Sequence, residues 1–331
     1  MELVTSVAHP IRTTPPASLG KVMGDRSVMY KYLNSNTVLV TTMRIDDADT
    51  ASVYLLDSVS GAILYTATHH SVDKSKPIVS LLCENWFVYT FFASENSASD
   101  VPTPKGYQIV VTELYESPFK NDRGPLRGAS NFSSFESEVM KTKPFAITQS
   151  YVSPVAITSL SATSTKQSIT TIDILAFLPY PASLLSIPKR ILDPRRPVGR
   201  DPDTSEREEG LFKYDPLLPL DHRSILSHKR DLLYTEGGEK VRVITSPSLM
   251  ESTSLVFLYD DTDLFGTRLT PSGAFDMLGK GFGKGQLVVT VLGLAVGVWF
   301  VAPMVSCLSF LPSFLVSSHF QKTYDANGTG E

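Results

Sequence analysis

Cysteine is nearly missing from this chain of 331 residues: there are two, Cys83 and Cys307, 224 positions apart. That excludes a disulfide scaffold and a zinc site built mainly of cysteine. Charge of one sign is also missing as a dense run. Thirty Lys+Arg stand against 34 Asp+Glu, a net charge of −4, so the basic stripe expected of a duplex-binding protein is absent and no nucleic-acid partner is expected. Charged residues make up 19%, below the usual quarter, and much of the deficit sits between Gly285 and Gln321, where there is no Asp, Glu, Lys or Arg. The first ten residues have neither a basic region nor an apolar core, so they do not read as a secretory signal peptide. No phosphate loop, dinucleotide fingerprint or nucleophile elbow occurs, and no cofactor is expected.

One long apolar run is present. Leu287–Val305 spans 19 residues with Thr290 as its only hydroxyl-bearing side chain. As a helix it would be about 29 Å long, close to the ~30 Å hydrocarbon core of a bilayer. Eleven of these residues are Leu, Val or Phe, each worth roughly −0.3 to −0.6 kcal/mol near the centre of a membrane helix. A buried core helix is the alternative, but few are so long and so uniformly apolar. Trp299 suits an interface position, and Gly293 with Gly297 forms a small-x-x-x-small pair. Residues 271–286 read as a short interfacial connector in which five glycines disfavour a long helix. Arg268, Lys280 and Lys284 precede the run and only Lys322 follows it, a charge count that places the preceding side in the cytoplasm.

The preceding 270 residues read as short β-strands separated by turns. The runs are 38–44, 52–57, 62–68, 78–83, 86–92, 107–115, 155–161, 172–177, 183–187, 241–245 and 255–259. Asp57-x-x-Ser60-Gly61 is a turn with a mechanism: the Asp bonds its own following backbone and the Gly supplies a positive φ. A second turn is expected at Glu84-Asn85. Such strands at this spacing point to a sandwich or a propeller. Loops are expected at 94–106 and 118–144, with a sequon at Asn131-Phe132-Ser133 in the second. A proline-punctuated, charge-dense connector occupies 192–240. Arg195 and Arg196 would face the Glu206–Glu209 cluster, and Tyr214, Leu217 and Leu218 would anchor it in extended form.

Candidate chemistry is thin. His69-His70 have no ligand-spaced partners and read as solvated strand-end residues. Asp46-Asp47-Ala48-Asp49 and Asp260-Asp261-Thr262-Asp263 lack the Gly and distant Glu of a calcium loop and read as turn acids. His222, His228, Asp231, Ser224 and Ser227 have no strand–turn–helix context for a nucleophile. Catalytic and metal sites are therefore not expected.

Several motifs together resemble a known family. Ser186-Ile-Pro-Lys-Arg-Ile-Leu-Asp193-Pro194-Arg195-Arg196-Pro197, Ser205–Leu211, Ser246-Pro-Ser-Leu-Met-Glu251-Ser252-Thr253-Ser-Leu-Val-Phe257 and Asp263–Arg268 with Phe275-Asp276 look like the C-terminal region of the subunit 1 family of the endoplasmic reticulum (ER) membrane protein complex. Gly24–Asn34 and Glu84–Trp86 fit the same family. The resemblance implies a mainly β chain: closing blades of a β-propeller, then a single C-terminal transmembrane helix, in a fragment of a longer protein. It implies a non-enzymatic lumenal scaffold that supports membrane-protein insertion and folding. Its partners would be other subunits of the complex, client membrane proteins and the lipid bilayer. The implied lumenal side opposes the charge count. Under this reading the chain divides into a lead-in (1–20), blades (21–191), the connector (192–240), a closing hairpin (241–270), the interfacial connector (271–286), the span (287–305) and an atypical Ser-rich apolar tail (306–331). The tail lacks the basic cluster expected of the family, which suggests an altered gene model after Val305. Leu178-Pro-Tyr-Pro-Ala-Ser183 also departs from the glycine turn expected there. Two rival readings are a membrane-anchored quinoprotein-type propeller enzyme, which would need a convergent acid–cation set on the propeller axis, and a single-pass adhesion or receptor ectodomain.

Overall fold

The computed structural model describes residues 2–10, 16–44, 49–94, 105–121, 123, 143–219, 221–227, 241–276 and 283–303. The chain forms two compact units, Met1–Asp276 and Met277–Glu331.

The first unit is built of antiparallel blades. Blade 1 holds β1 (Glu2–Ala8), β4 (Thr37–Arg44), β5 (Thr50–Asp57) and β6 (Ile63–His70) in that order; β2 (Gly20–Val22) and β3 (Val28–Tyr30) make a separate hairpin inserted between β1 and β4. Blade 2 is β7 (Val79–Cys83), β8 (Trp86–Ala93), β9 (Gly106–Tyr115) and β10 (Phe145–Ser153). Blade 3 is β11 (Ser159–Ala162), β12 (Asp173–Pro179) and β13 (Ala182–Pro188), and blade 4 is β14 (Arg242–Pro247), β15 (Ser254–Tyr259) and β16 (Leu264–Leu269). The first strands of the blades lie side by side, β1 against β7, β7 against β11 and β11 against β14. This is the arrangement of inner strands around a propeller axis.

The period of two along each strand explains the packing. On β8, Phe87, Tyr89 and Phe91 pack with Leu39, Val53 and Leu55 of blade 1, while Trp86 and Val88 pack with Ile174, Ala176 and Leu185 of blade 3. On β12, Leu175 and Phe177 turn the other way, toward Val243, Val256 and Leu258 of blade 4. Blades 2 and 3 are thus covered on both faces, and β8 and β12 read as continuous apolar runs for that reason. The outer strands β6 and β16 have one covered face and alternate exposed with half-buried residues along most of their length.

The expected turns are present. Gly61 has φ 70°, and Asp57 accepts hydrogen bonds from the Val59 amide at 2.9 Å and the Ser60 hydroxyl at 3.0 Å. Glu84-Asn85 closes β7–β8, and Tyr180-Pro181 closes β12–β13 without a glycine, Pro179 pairing Ala182.

Several strand regions differ from the sequence reading, and β2, β3 and β16 were not among the expected runs. The segment read as a lead-in contains β1. Its hydroxyls bond inward, Thr5 to Thr41 at 3.0 Å and Ser6 to Ser80 at 2.8 Å, so polar residues serve an inner strand. Strand β10 was not among the expected runs and pairs all along β9; its Thr148, Gln149 and Ser150 dilute the apolar signal of an outer strand. Residues 155–158 precede β11 rather than belonging to it.

The connector is not extended throughout. A 3-10 turn covers Lys189–Leu192 and a short helix, α1, covers Thr204–Glu208. Asp203 and Glu206 form a reciprocal capping box there, Glu206 accepting the Asp203 amide at 2.8 Å. Of the three expected anchors, Leu218 is buried and Tyr214 packs on Tyr151 with ring centroids 5.5 Å apart, but Leu217 is exposed. Residues 225–227 run along β13, the Leu226 amide donating to the Leu184 carbonyl at 2.8 Å and the Leu184 amide to the Ser227 hydroxyl at 3.0 Å.

In the second unit, helix α2 (Lys284–Pro303) has 20 residues and its apolar side chains are uncovered within the unit. It is the one described helix long and apolar enough to cross a membrane. Helix α2 begins three residues before the span expected at Leu287–Val305, and Val305 and the tail 306–331 lie outside the described residues. Thr290 returns its hydroxyl to the Gln286 carbonyl at 2.7 Å, so the only hydroxyl in the run is satisfied internally.

Candidate functional site

The polar centre of the first unit lies where the β2–β3 hairpin and the connector meet blades 2 and 3. Alternation places it. On β9, Ile109 and Val111 point between blades 2 and 3, and Glu113 and Tyr115 continue that parity to the strand's end. Glu113 is 1% exposed. A carboxylate so buried requires charged partners, and it has them. The Lys189 ammonium donates to Oε1, Lys21 Nζ lies 3.4 Å from Oε2, and the Tyr115 hydroxyl donates to Oε2 at 2.5 Å. Lys189 also stands 5.2 Å from the centre of the Trp86 ring, a cation–π distance.

Asp193, at the end of the 3-10 turn, continues the network. It accepts Lys21 Nζ at 2.8 Å, Arg195 NH2 at 3.3 Å and the Arg195 amide at 2.9 Å. Arg195 NH1 reaches Glu209 at 2.7 Å, and Glu209 also accepts the Gly24 amide at 2.8 Å. Gly24 is sterically required, since a Cβ there would lie 2.0 Å from the Ser205 carbonyl oxygen. Three cations (Lys21, Lys189, Arg195) thus meet three carboxylates (Glu113, Asp193, Glu209). A cleft of about 820 Å³ opens beside them, lined also by Trp86, Asp173 and Arg190.

The electrostatics follow from this pairing. Burial works against the charge on Glu113, yet Lys189 and Lys21 outweigh it and hold the carboxyl far below its usual range. Burial likewise works against Lys189, and Glu113 with Asp193 holds its ammonium charged above the usual lysine range. Burial and then Glu113 push the Tyr115 phenol up. Glu113, Asp193, Lys189 and Arg195 are thus held in their charged, paired forms, whereas burial outweighs Glu113 and Asp193 at Lys21 and lowers it below the usual lysine range. Such an arrangement joins chain segments.

Other expected residues fall in three places. Pro194 and Pro197 are buried beside the network. Arg196 does not face the Glu206–Glu209 cluster as expected: its guanidinium donates to the carbonyls of Ile191 at 2.7 Å, Phe212 at 3.4 Å and Lys213. Arg195 meets Glu209, and Arg200 pairs with Glu206 at 2.6 Å. A second cluster ties the loops of blades 3 and 4 at the same end, where Ile169 and Ser272 line the cleft beside the ionic network. Glu251 accepts from the Thr165 hydroxyl at 2.8 Å and the Gln167 and Ile169 amides at 2.8 and 2.9 Å. Ser252 is fully buried and bonds Asp276, and Thr253 is buried beside it. Arg268 is exposed on β16 and joins neither cluster. Gly293, Gly297 and Trp299 lie on α2, where a Cβ on either glycine would meet nothing within 4 Å. Asn131 lies outside the described residues.

The remaining candidates also have places. His69 is not a solvated strand-end residue: its Nε2 meets the Tyr89 hydroxyl at 2.7 Å and its ring lies 4.6 Å from Phe91, while His70 is exposed. Asp260 and Asp263 form the β15–β16 turn, the Asp260 amide donating to the Asp263 carbonyl at 3.0 Å. Asp49 pairs with Lys74 at 3.3 Å, and residues 46–48 lie outside the described residues. Ser227 is buried against β13; His228 and Asp231 lie outside the described residues. Among the described residues no group of three or more His, Cys, Asp or Glu could hold a metal. Glu209 was expected as a partner of Arg195; Lys21, Glu113, Tyr115 and Lys189 were not anticipated as members of the network. A signal existed for one of them, a lone Glu inside the run Ile109–Tyr115.

Comparison with known proteins agrees with the motifs. A family model described as ER membrane protein complex subunit 1, second beta-propeller, matches residues 1–272. Proteins named ER membrane protein complex subunit 1 are similar to this chain. The one from Schizosaccharomyces pombe is 33% identical over 87% of this chain and 30% of its own length. Those from Xenopus laevis and Saccharomyces cerevisiae are 36% and 33% identical over 79% and 89% of this chain, and over 24% and 37% of their own lengths. The chain thus spans about a quarter to just over a third of these relatives. With propeller blades over the matched residues and the Asp193–Pro197 motif at their polar centre, the chain belongs to the ER membrane protein complex subunit 1 family.

Proposed function

We propose that this chain is a non-enzymatic scaffold part of an ER membrane protein complex, anchored by α2, with the blades on the lumenal side. In that role it supports insertion and folding of client membrane proteins by holding other subunits in place. Family membership carries the reading. The charge-balanced network at its polar centre supports it, because a site whose ionisable groups are locked into one another serves rigidity rather than turnover. The uncovered apolar surface of α2 supports a membrane anchor.

The test has two arms. Affinity purification of the tagged full-length protein from detergent-solubilised ER membranes should return the other subunits of the complex in constant proportion. Recovery of the protein alone would refute the scaffold role. For orientation, glycosidase treatment should shift the wild-type protein on a gel, and Asn131→Gln should remove one increment. Identical mobility of treated wild type and mutant would count against a lumenal position for that loop.

A further inference from the structure

We infer that the outer edge of β6, in blade 1, takes an added strand from an extended, uncharged segment of a partner polypeptide. β6 has eight residues. Among the described residues its one strand neighbour is β5, and no isolated bridge pairs its other side. Every second amide and carbonyl of an antiparallel strand points away from its neighbour, so β6 presents a row of backbone donors and acceptors outward.

Blades 2 and 3 show what covers such an edge. The connector lies along β10: the Val152 amide donates to the Pro216 carbonyl at 2.7 Å, the Leu218 amide returns to the Val152 carbonyl at 2.9 Å, and Val152 and Leu217 form a parallel bridge. Along β13, the Leu226 amide donates to the Leu184 carbonyl at 2.8 Å beside an antiparallel Leu185–Ile225 bridge. One further extended segment thus extends each of these sheets, parallel in one and antiparallel in the other. β6 offers the same position, and the described parts of the connector are already engaged on the other two blades.

Composition sets the chemistry of the occupant. Edges that must stay unpaired carry charge, proline or a bulge. Ser58–Val72 contains no Asp, Glu, Lys, Arg or Pro. The bulge opposite Leu55 and Leu56 lies at the start of β6 and leaves Thr66–His70 in unbroken register. Thr66, Thr68 and His70 are exposed on one face of that stretch. The other outer strand without a bridge on its far side among the described residues, β16, carries an exposed Arg268. A strand added to β6 therefore meets threonine methyls and hydroxyls and no counter-charge. β-branched and hydroxyl side chains pair favourably across such an edge, whereas an ion would lose water without gaining a partner.

The edge belongs to blade 1 whether or not the chain serves as a scaffold, so full-length protein in detergent and a synthetic probe suffice as the test. The probe is a fluorescein-labelled Ser-Val-Thr-Ile-Thr-Val-Ser peptide. Its anisotropy should rise with a Kd below about 1 mM. Methylating alternate amide nitrogens along one edge of the probe should weaken binding about tenfold or more, because each methyl removes a ladder bond. Lysine at the Ser and Thr positions of the probe should weaken it by about tenfold too. The Thr66→Lys/Thr68→Lys protein, altered at two exposed side chains, should lose the unmodified probe to the same extent while keeping its urea midpoint. Hydrogen exchange should show one alternate set of amides in Ile63–His70 slowed about tenfold or more by the probe in the wild type alone. No rise in anisotropy up to about 1 mM, or undiminished binding of the methylated probe, overturns strand addition. Undiminished binding of the lysine probe overturns the uncharged occupant. Equal affinity for the Lys variant, or no slowing within Ile63–His70, places the probe elsewhere and overturns the assignment to β6. Both alternate sets slow before any probe is added would show the edge closed by the protein's own chain and overturn the assignment to a partner.

Discussion

Replacing Glu113 by Gln keeps the shape of the side chain and removes its charge, leaving Lys189 and Lys21 facing a neutral amide. The Lys21 contact at 3.4 Å corresponds to about 5 kcal/mol of attraction at an effective dielectric of 20, and Lys189 is closer. Relaxation returns part of this, because the lysine side chains are 27% and 20% exposed and can turn toward water. Breaking a buried pair by removing one partner typically costs 3–5 kcal/mol, and about 3 kcal/mol is expected here. Trp86 is a built-in reporter, since the protein has two tryptophans and Trp86 lies under Lys189. With Trp299→Phe as background, urea unfolding followed by Trp86 emission should show a midpoint lowered by about 1 M, taking a slope near 3 kcal/mol/M for a unit of this size. Lys189→Met alone should also destabilise, and the Glu113→Gln/Lys189→Met pair should cost less than the sum by about 1.5–3 kcal/mol. A midpoint shift under about 0.3 M, or additivity within about 0.5 kcal/mol, would show that the network contributes little to holding the blades together.

Two further outcomes follow from single residues. Burial, with a smaller effect of His70, lowers His69 from 6.5 to about 4, so the folded state favours its neutral ring. Its contribution is complete above pH 6.5 and declines as pH falls from there toward 4. Stability should drop by about 1 kcal/mol between pH 7 and pH 5.5, and His69→Gln should remove that part of the slope in urea titrations at the two pH values; an unchanged slope would refute a buried neutral ring. Gly24→Ala should lower stability by about 1–3 kcal/mol through its clash with the Ser205 carbonyl, whereas Gly61→Ala, at φ 70° with open space around it, should cost about 1 kcal/mol through backbone strain alone. A smaller loss at Gly24 than at Gly61 by thermal melting would show that the hairpin's seat on α1 is yielding.

The blades were legible because their strands are short, β-branched and bounded by turns with a chemical mechanism, as at Asp57–Gly61. The inner strand β1 was hidden by Thr5 and Ser6, whose hydroxyls bond β4 of the same blade and β7 of the next, which no local pattern reveals. The outer strand β10 was hidden by its polar face. The Asp193–Pro197 motif was visible as a motif, but its partners were not. Glu113, Lys21 and Lys189 come from three separate stretches of chain, and only the stacking of blades brings them within bonding distance. Arg195 and Arg196 illustrate the limit: adjacent and chemically alike, they turn to opposite tasks, one pairing carboxylates and the other satisfying carbonyls.

Lys21 and Asp193, bonded at 2.8 Å, stand 172 positions apart. At about 5–20 residues per second of synthesis, Lys21 emerges some 10–35 s before the carboxylate it will face. Through that interval the β2–β3 hairpin has no acid from the connector to hold it, and Glu113, made about midway, becomes available before Lys189 can join it. Insertion of the hairpin between β1 and β4 is therefore sealed late, by the segment that follows β13. A ribosome stalled between residues 113 and 189 would leave a nascent chain with its central carboxylate made and its closest lysine still unmade. Translation speed over that stretch thus sets how long a half-built ionic centre stays open to quality control.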